Sequence, residues 1–466
     1  MKTPEKLYEG NIRRKYFLFA VPVIISTLIS QSYSFVNSMM IGKLLGSEAF
    51  AATAVTAELL QFLNSIFFGY LTGIGIYISV LFGKGEYKKM LDAIKVNFLI
   101  SLSFAILISL ICNLFCKEIF ALLNVNSEVY RNAEIYFRTY VCGYISFQFN
   151  WGFTYISHSM GLTKIPLTIS TATGIINVLL NYLFLSLWNK GIGYSAFASV
   201  LSNSLTTIVY FIVYIRQFSK MGLSMKGFCI SRDLLKNSIS YGTPTMLQQM
   251  AMYACTAIVS PLTNSCATAA ISGYAVANKA RPLIMAVYQD SSKANTTFVG
   301  QAMGAGRIDR IKAGMKIGIT QSLVFFGIAM TVFWVFARQF SCLFLDPIAD
   351  AESITISVNI IRFLLPVTFF NVFNNLFHGI FRAVGSGTLM FISTMIYAVS
   401  YVIYAYTLFA VLPEEIRIYG VHMAIGLAYI TEVIFAAVVF FTGKWKSPEY
   451  KRLEKEYNDS ISNKAI

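Results

Sequence analysis

The sequence predicts an all-α polytopic membrane protein: twelve transmembrane helices forming two six-helix bundles related by a pseudo-twofold axis along the membrane normal. Three observations carry this reading. Of 466 residues, 56% are hydrophobic and only 13% are charged, a balance foreign to soluble domains. The apolar residues fall into twelve runs long enough to cross ~30 Å of hydrocarbon at ~1.5 Å per residue. Motifs of the first half also recur in the second at a nearly constant offset, the mark of an internal duplication.

In chain order, residues 1–15 form a polar tail carrying Lys2, Lys6, Arg13, Arg14 and Lys15. The run 16–41 is too long for a signal-peptide core and lacks a small-residue cleavage site, so it is expected to remain as an uncleaved helix. Runs at 49–81, 93–116, 133–160, 165–187 and 193–217 complete a first lobe, 16–217. A basic linker, 218–236, leads to runs at 237–263, 267–301, 314–340, 356–383, 387–411 and 420–442. These make a second lobe, 237–442, followed by a tail, 443–466. Gly, Ser, Thr and Asn scattered through the runs suit close helix packing in lipid.

The net charge is +15, but the basic residues lie between the runs rather than on one soluble face, which argues against a nucleic-acid partner. With the N-terminus inside, 26 Lys and Arg fall on the cytoplasmic side and eight outside. That asymmetry is expected to place both termini on the cytoplasmic side of the membrane. The seven cysteines have no disulfide or metal-type spacing. No nucleotide-binding loop, metal set or nucleophile constellation appears, so neither an enzyme nor a resident cofactor is expected.

The duplication has four collinear markers. Pro22 matches Pro244; Ala54 to Glu58 matches Ala275 to Lys279; Gly83-Lys84-Gly85-Glu86 matches Gly304-Ala305-Gly306-Arg307; His158 to Gly161 matches Arg382 to Gly385. An even number of helices separates the copies, so both have the same topology. This arrangement belongs to alternating-access transporters.

Further residues carry a family likeness. Ala20-Val21-Pro22, Ile41 to Gly46 with Ala49 to Ala52, and Gly83-Lys84-Gly85 stand in the first half. Gly242-Thr243-Pro244 with Gln248 and Gln249, Val299 to Arg307, and Arg382 to Gly385 stand in the second. Over residues 10 to 445 the chain resembles the multidrug and toxic compound extrusion (MATE) transporters, nearer the DinF-like and MepA-like branches than the NorM-like one. The resemblance implies export of small molecules, commonly organic cations, driven by inward proton or sodium movement. It also implies acidic ion sites in one or both lobes. Where relatives often carry Asp, this chain has Asn37 and Asn181, which cannot exchange a proton but retain a carbonyl able to coordinate sodium.

Charges inside the runs are costly and therefore candidates for function. The acids are Glu58, Asp290 and Glu432, and the bases are Lys279, Arg281 and Lys293. Glu58 and Lys279 are repeat-equivalent, which predicts an ion pair between the lobes, either a latch or a static packing element. Asp290 and Lys293 share a helix face at three residues' spacing, so Asp290 is either a coupling carboxylate or a structural partner of Lys293. Gln248 and Gln249 are candidates for a cavity wall. Most other intramembrane amides, including Asn177, Asn371, Asn374 and Asn375, read as interhelical hydrogen-bond glue, and His158, His378 and His422 as local hydrogen-bonders. The basic stripe 279–293 makes zwitterionic or anionic cargo plausible beside cations.

The expected function is an ion-coupled antiporter exporting small amphipathic compounds, working as a monomer among membrane lipids. The alternative is a lipid or lipid-linked oligosaccharide flippase of the same superfamily, which needs a basic cleft. A membrane receptor or scaffold is disfavoured because the tail after 442 is too short for a sensory domain.

Overall fold

In the computed structural model, residues 6–122, 125, 127–224, 227 and 231–462 are described. Helices occupy every predicted run. α1 (Ile12–Leu45), α2 (Ser47–Lys84) and α3 (Tyr87–Leu114) are followed by the short α4 (Cys116–Leu122). The fourth run is two helices, α5 (Ser127–Cys142) and α6 (Tyr144–Ser159). Gly143 breaks it where a Cβ would lie 2.2 Å from the Val200 side chain, so only glycine lets the chain pass. α7 (Lys164–Asn181) runs into a π-turn, Tyr182–Leu187, and α8 (Ile192–Lys220) closes the first half.

The second half repeats this order. α9 (Arg232–Asn264), α10 (Thr268–Gly304) and α11 (Ile308–Val335) are followed by the short α12 (Ala337–Ser341). α13 (Ala351–Asn359) and α14 (Phe369–Ala383) form one run interrupted by π and 3₁₀ turns over Ile360–Thr368. Pro366 sits in this interruption, where its missing N–H leaves the helical ladder incomplete. α15 (Gly387–Val411), α16 (Arg417–Phe441) and an amphipathic α17 (Pro448–Ser462) complete the chain. Twelve runs thus build two six-helix bundles, and no strand occurs among the described residues.

The duplication is visible helix by helix. α3 and α11 are both 28 residues long, and α2 and α10 are 38 and 37. Two of the matched glycine pairs adopt the same left-handed backbone: Gly85 and Gly306 at φ 75° and 69°, and Gly161 and Gly385 at φ 74° and 87°. A side chain in that region is strained, which explains why glycine stands at both positions of each pair.

Nine helices among the described residues are long and apolar enough to cross a membrane on composition alone. The α5–α6 run, α9 and α10 are not among them. The last two contain Gln248, Gln249, Lys279, Arg281, Asp290 and Lys293, so two of the less apolar runs hold most of the candidate site residues.

The chain divides into two compact units. One contains residues 25–242 and the other contains 7–24 with 243–466. Both division points lie within helices, two residues after Pro22 in α1 and two before Pro244 in α9. The sequence reading assigns all of 16–217 to one lobe and all of 237–442 to the other. In the structure, residues 16–24 of α1 go with the second unit and residues 237–242 of α9 go with the first.

Local contacts explain these assignments. In the second unit Leu7, Tyr8, Ile12, Tyr16 and Phe19 are buried. The Leu7 amide donates to Gln301 Oε1 at 2.9 Å, and the Tyr16 hydroxyl donates to Asn295 Oδ1 at 2.9 Å. In the first unit Asn97 Nδ2 donates to Ser238 Oγ at 3.3 Å, and Tyr241 stacks on Tyr77 with centroids 5.3 Å apart. Gly73 is required beneath this segment, because a Cβ there would lie 2.1 Å from the Tyr241 carbonyl oxygen.

Candidate functional site

In the first unit the amides of α1 and α7 converge. Asn37 Nδ2 donates to Asn177 Oδ1 in a very short contact, and Asn181 Nδ2 lies 3.3 Å from Asn37 Oδ1 and 3.2 Å from Asn177 Oδ1. Asn177 Nδ2 in turn donates to Ser199 Oγ and Ser202 Oγ of α8 at 3.1 and 3.2 Å. Asn177 and Asn181 are buried, and Asn181 Oδ1 is left without a donor. The cluster holds oxygens and amide N–H groups but no member that titrates near neutral pH. It therefore offers dipoles and no exchangeable proton. Asn177 reads as packing glue from sequence, and here it is the hub joining Asn37 to Asn181.

A second cluster lies in the other unit, on α9, α14 and α16. Gln248 Nε2 is 3.1 Å from His378 Nδ1, His378 Nε2 is 3.3 Å from Glu432 Oε1, and Asn374 Nδ2 donates to Glu432 Oε2 at 2.7 Å. His378, Glu432 and Asn374 are 5%, 3% and 1% exposed, and Gln248 at the edge of the array is half-buried. Gln248 has only amide N–H groups at Nε2, so it donates, and His378 Nδ1 accepts. The imidazole proton is then assigned to Nε2, which lies within ion-pair distance of the carboxylate but outside hydrogen-bond geometry. Imidazole and carboxylate both take up and release protons, and the flanking amides fix their orientation.

From sequence, Glu432 reads as a lone acid within its run and His378 as a separate local hydrogen-bonder. The pairing joins residues 54 positions apart on different helices, and no local spacing announces it. Gln249, next to Gln248, is half-buried and outside the array.

The remaining charged residues sit apart from the array. Lys293 Nζ is 2.6 Å from Asp290 Oδ1, the contact that the three-residue spacing predicts. Asp290 is buried, and its Oδ2 has no donor. Lys279 is exposed, with its ammonium 5.4 Å from the centroid of the Phe344 ring. The side chain of Glu58, and with it the expected pair with Lys279, lies outside the described residues. Among the described residues no group of three or more His, Cys, Asp or Glu is arranged to hold a metal ion.

Comparison with known proteins agrees with this architecture. The MatE family model matches residues 22–183 and 244–407, one match in each repeat. The chain is 23% identical over 451 residues to the probable multidrug resistance protein YpnP of Bacillus subtilis (strain 168), covering 94% of this chain and 97% of that one. It is 21% identical over 394 residues to the multidrug export protein MepA of Staphylococcus haemolyticus (strain JCSC1435), covering 83% and 85%. Among solved structures, a MOP-superfamily transporter from Pyrococcus furiosus Vc1 (DSM3638), described as having a binding pocket of reverse polarity, superimposes with a TM-score of 0.88. Its identity is 18%, and the match covers 97% of this chain and all of that one. A multidrug-resistance MATE transporter in an outward-facing conformation gives 0.86 at 18% identity, covering 98% and 99%.

Proposed function

Given that the chain belongs to the MATE family of multidrug efflux transporters, we propose that it is a secondary antiporter exporting small amphipathic compounds by alternating access, with the proton as its coupling ion. The reading places the chain in a bacterial plasma membrane with both termini in the cytoplasm, on the strength of its Lys and Arg distribution. The observation that carries the coupling assignment is the Gln248–His378–Glu432–Asn374 array, in which the imidazole and the carboxylate are buried side by side.

With the imidazole neutral and protonated at Nε2, an ionised Glu432 gives the pair one net negative charge, and uptake of one further proton makes the pair neutral. Loss of that proton leaves a buried negative charge, and gain of a second leaves a buried positive one. Either charged state is costly in a bundle surrounded by lipid. Opening the array to water on one side of the membrane lowers that cost, so proton exchange and conformation are linked. Asp290 is assigned a structural role because Lys293 already neutralises it one turn away. The amide cluster around Asn177 is assigned a dipolar role in substrate or ion contact, without proton exchange. Imidazole nitrogen is a poor ligand for sodium, which takes oxygens as other hard cations do, and this favours the proton.

The test is reconstitution into liposomes with imposed pH or sodium gradients, following a panel of fluorescent dyes and lipid analogues. A pH gradient alone is expected to drive dye movement, and Glu432→Gln to reduce it about tenfold or more, while Asp290→Asn with Lys293→Met retains it. Transport driven by sodium and indifferent to pH would refute the assignment, and movement of lipid analogues alone would point to the flippase reading.

A further inference from the structure

Each repeat has an arginine that caps the carbonyl end of its third helix, α3 or α11. Arg138 of α5 donates from Nη1 to the Asn113 carbonyl at 2.6 Å, and Arg362, in the π-turn that follows α13, donates from Nε to the Trp334 carbonyl at 3.0 Å. Asn113 and Trp334 are each the next-to-last residue of their helix, so their carbonyls are among those left without an intrahelical donor. The two arginines stand at the same sequence offset as His158 and Arg382.

The charge is handled differently in the two repeats. Glu134, one turn before Arg138, places Oε1 2.9 Å from both Nε and Nη2 and neutralises the guanidinium. The residue equivalent to Glu134 is Val358, and among the described residues no carboxylate lies within ion-pair distance of Arg362. The acids of the turn before α13 are engaged locally: Asp346 accepts from the amides of Ile348 and Ala349, and Asp350 from that of Asp346. The Arg362 guanidinium instead lies over the Trp334 ring, 5.2 Å from its centroid. Stacking leaves the edge of a guanidinium free, and Nη1 and Nη2 make no hydrogen bond among the described residues.

The surroundings are those of a lipid headgroup region. α11 has 28 residues and so spans ~42 Å at ~1.5 Å per residue, close to the full thickness of a bilayer with its headgroups. With Ile308 at one interface, Trp334 and Arg362 lie at the other, where Trp is favoured. From that level an exposed apolar strip, Val335, Val332, Ile328 and Val324, runs back along α11, and Phe363 beside Arg362 is exposed too. A positive group fixed at headgroup depth, with free donors and lipid-facing hydrocarbon beneath it, complements a phosphate that carries acyl chains.

We propose that Arg362 and Trp334 form a binding site for an anionic phospholipid, with the phosphate on the free guanidinium edge and an acyl chain along the exposed strip of α11. On the topology given above, that lipid belongs to the extracytoplasmic leaflet. Arg138 offers no such site, because Glu134 already occupies its guanidinium.

The test is photolabelling of the full-length chain in phosphatidylcholine vesicles, with no gradient present, so that it reads this site independently of transport. The vesicles contain a minor share of either phosphatidylglycerol or phosphatidylcholine bearing a diazirine on one acyl chain, and labelled peptides are mapped by mass spectrometry. The phosphatidylglycerol probe is expected to label residues 324–335 about fivefold more than the phosphatidylcholine probe, equivalent to ~1 kcal/mol. Arg362→Met and Val358→Glu are each expected to remove this excess, the second by supplying the carboxylate that the first repeat has. Equal labelling of the strip by both probes in the wild type overturns the proposal, as does an excess that survives Val358→Glu. Loss of the excess on adding inorganic phosphate marks a soluble-anion site and also overturns it. Should either variant aggregate, the other decides: a lost excess in the folded variant supports the site, and an unaltered one sinks it.

Discussion

At the residue scale, each candidate group depends on side chains that several helices bring together: Asn37, Asn177 and Asn181 in one unit, and Gln248, His378, Asn374 and Glu432 in the other. Asn37 and Asn181 stand out because amides replace the expected acids, and Asp290 with Lys293 follows from helical spacing. The His378–Glu432 contact depends on how α14 packs against α16, which sequence periodicity does not encode. The hub role of Asn177 likewise appears only once α1, α7 and α8 are packed. Asn181→Leu is expected to strand the Asn37 oxygen and crowd the cluster. At ~1–3 kcal/mol for a buried polar group left unpaired, the melting temperature in detergent should fall by several degrees, as read by light scattering on heating. Gly73→Ala places a methyl group 2.1 Å from the Tyr241 carbonyl oxygen. The backbone must move, and a comparable or larger loss of thermal stability is expected in the same assay, whereas Gly327→Ala, which meets nothing within 4 Å, should be neutral or mildly stabilising.

At the element scale, every run was identified, but their breaks were not. A run of apolar residues reveals its length, while the interruptions at Gly143 and near Pro366 reflect close approach and a missing donor. α17 lies in the stretch 443–466, which reads from sequence as a tail. It is a helix anchored through Tyr450, which is 1% exposed and packs on Trp445 at 4.8 Å, and through Glu454, whose carboxylate lies 2.6 Å from Lys446 Nζ and 3.6 Å from Lys312 Nζ. Partial burial pushes the Glu454 carboxyl upward, but the hydrogen bond and charge of Lys446, with the charge of Lys312, outweigh it and hold it below the ordinary value. A depressed folded-state value means the carboxylate stabilises this docking above its unfolded value of ~4.3 and loses that contribution as pH falls through the folded value. Limited proteolysis should therefore release α17 faster near pH 3.5 than at pH 7, and Glu454→Gln should release it faster at pH 7 and remove most of the pH dependence.

At the scale of the whole molecule, the duplication was the most legible feature. It survives as matched helix lengths and paired left-handed glycines although few residues coincide. The exact membership of the two units was not legible, because α1 and α9 are each continuous in sequence while their contacts change partner near Pro22 and Pro244. Co-expression of residues 1–224 and 225–466 as separate chains should yield a stable product, while either fragment alone should be degraded or aggregate. Pull-down through a tag on one fragment checks this, and a monodisperse lone fragment would contradict it. The crossing of these two helices also bears on ancestry. A polypeptide of half this length could not have completed its own bundle, since its opening segment packs into the opposite copy. A half-length chain with this packing is expected to need a second copy to receive its N-terminal arm, and a single fused chain supplies that copy covalently.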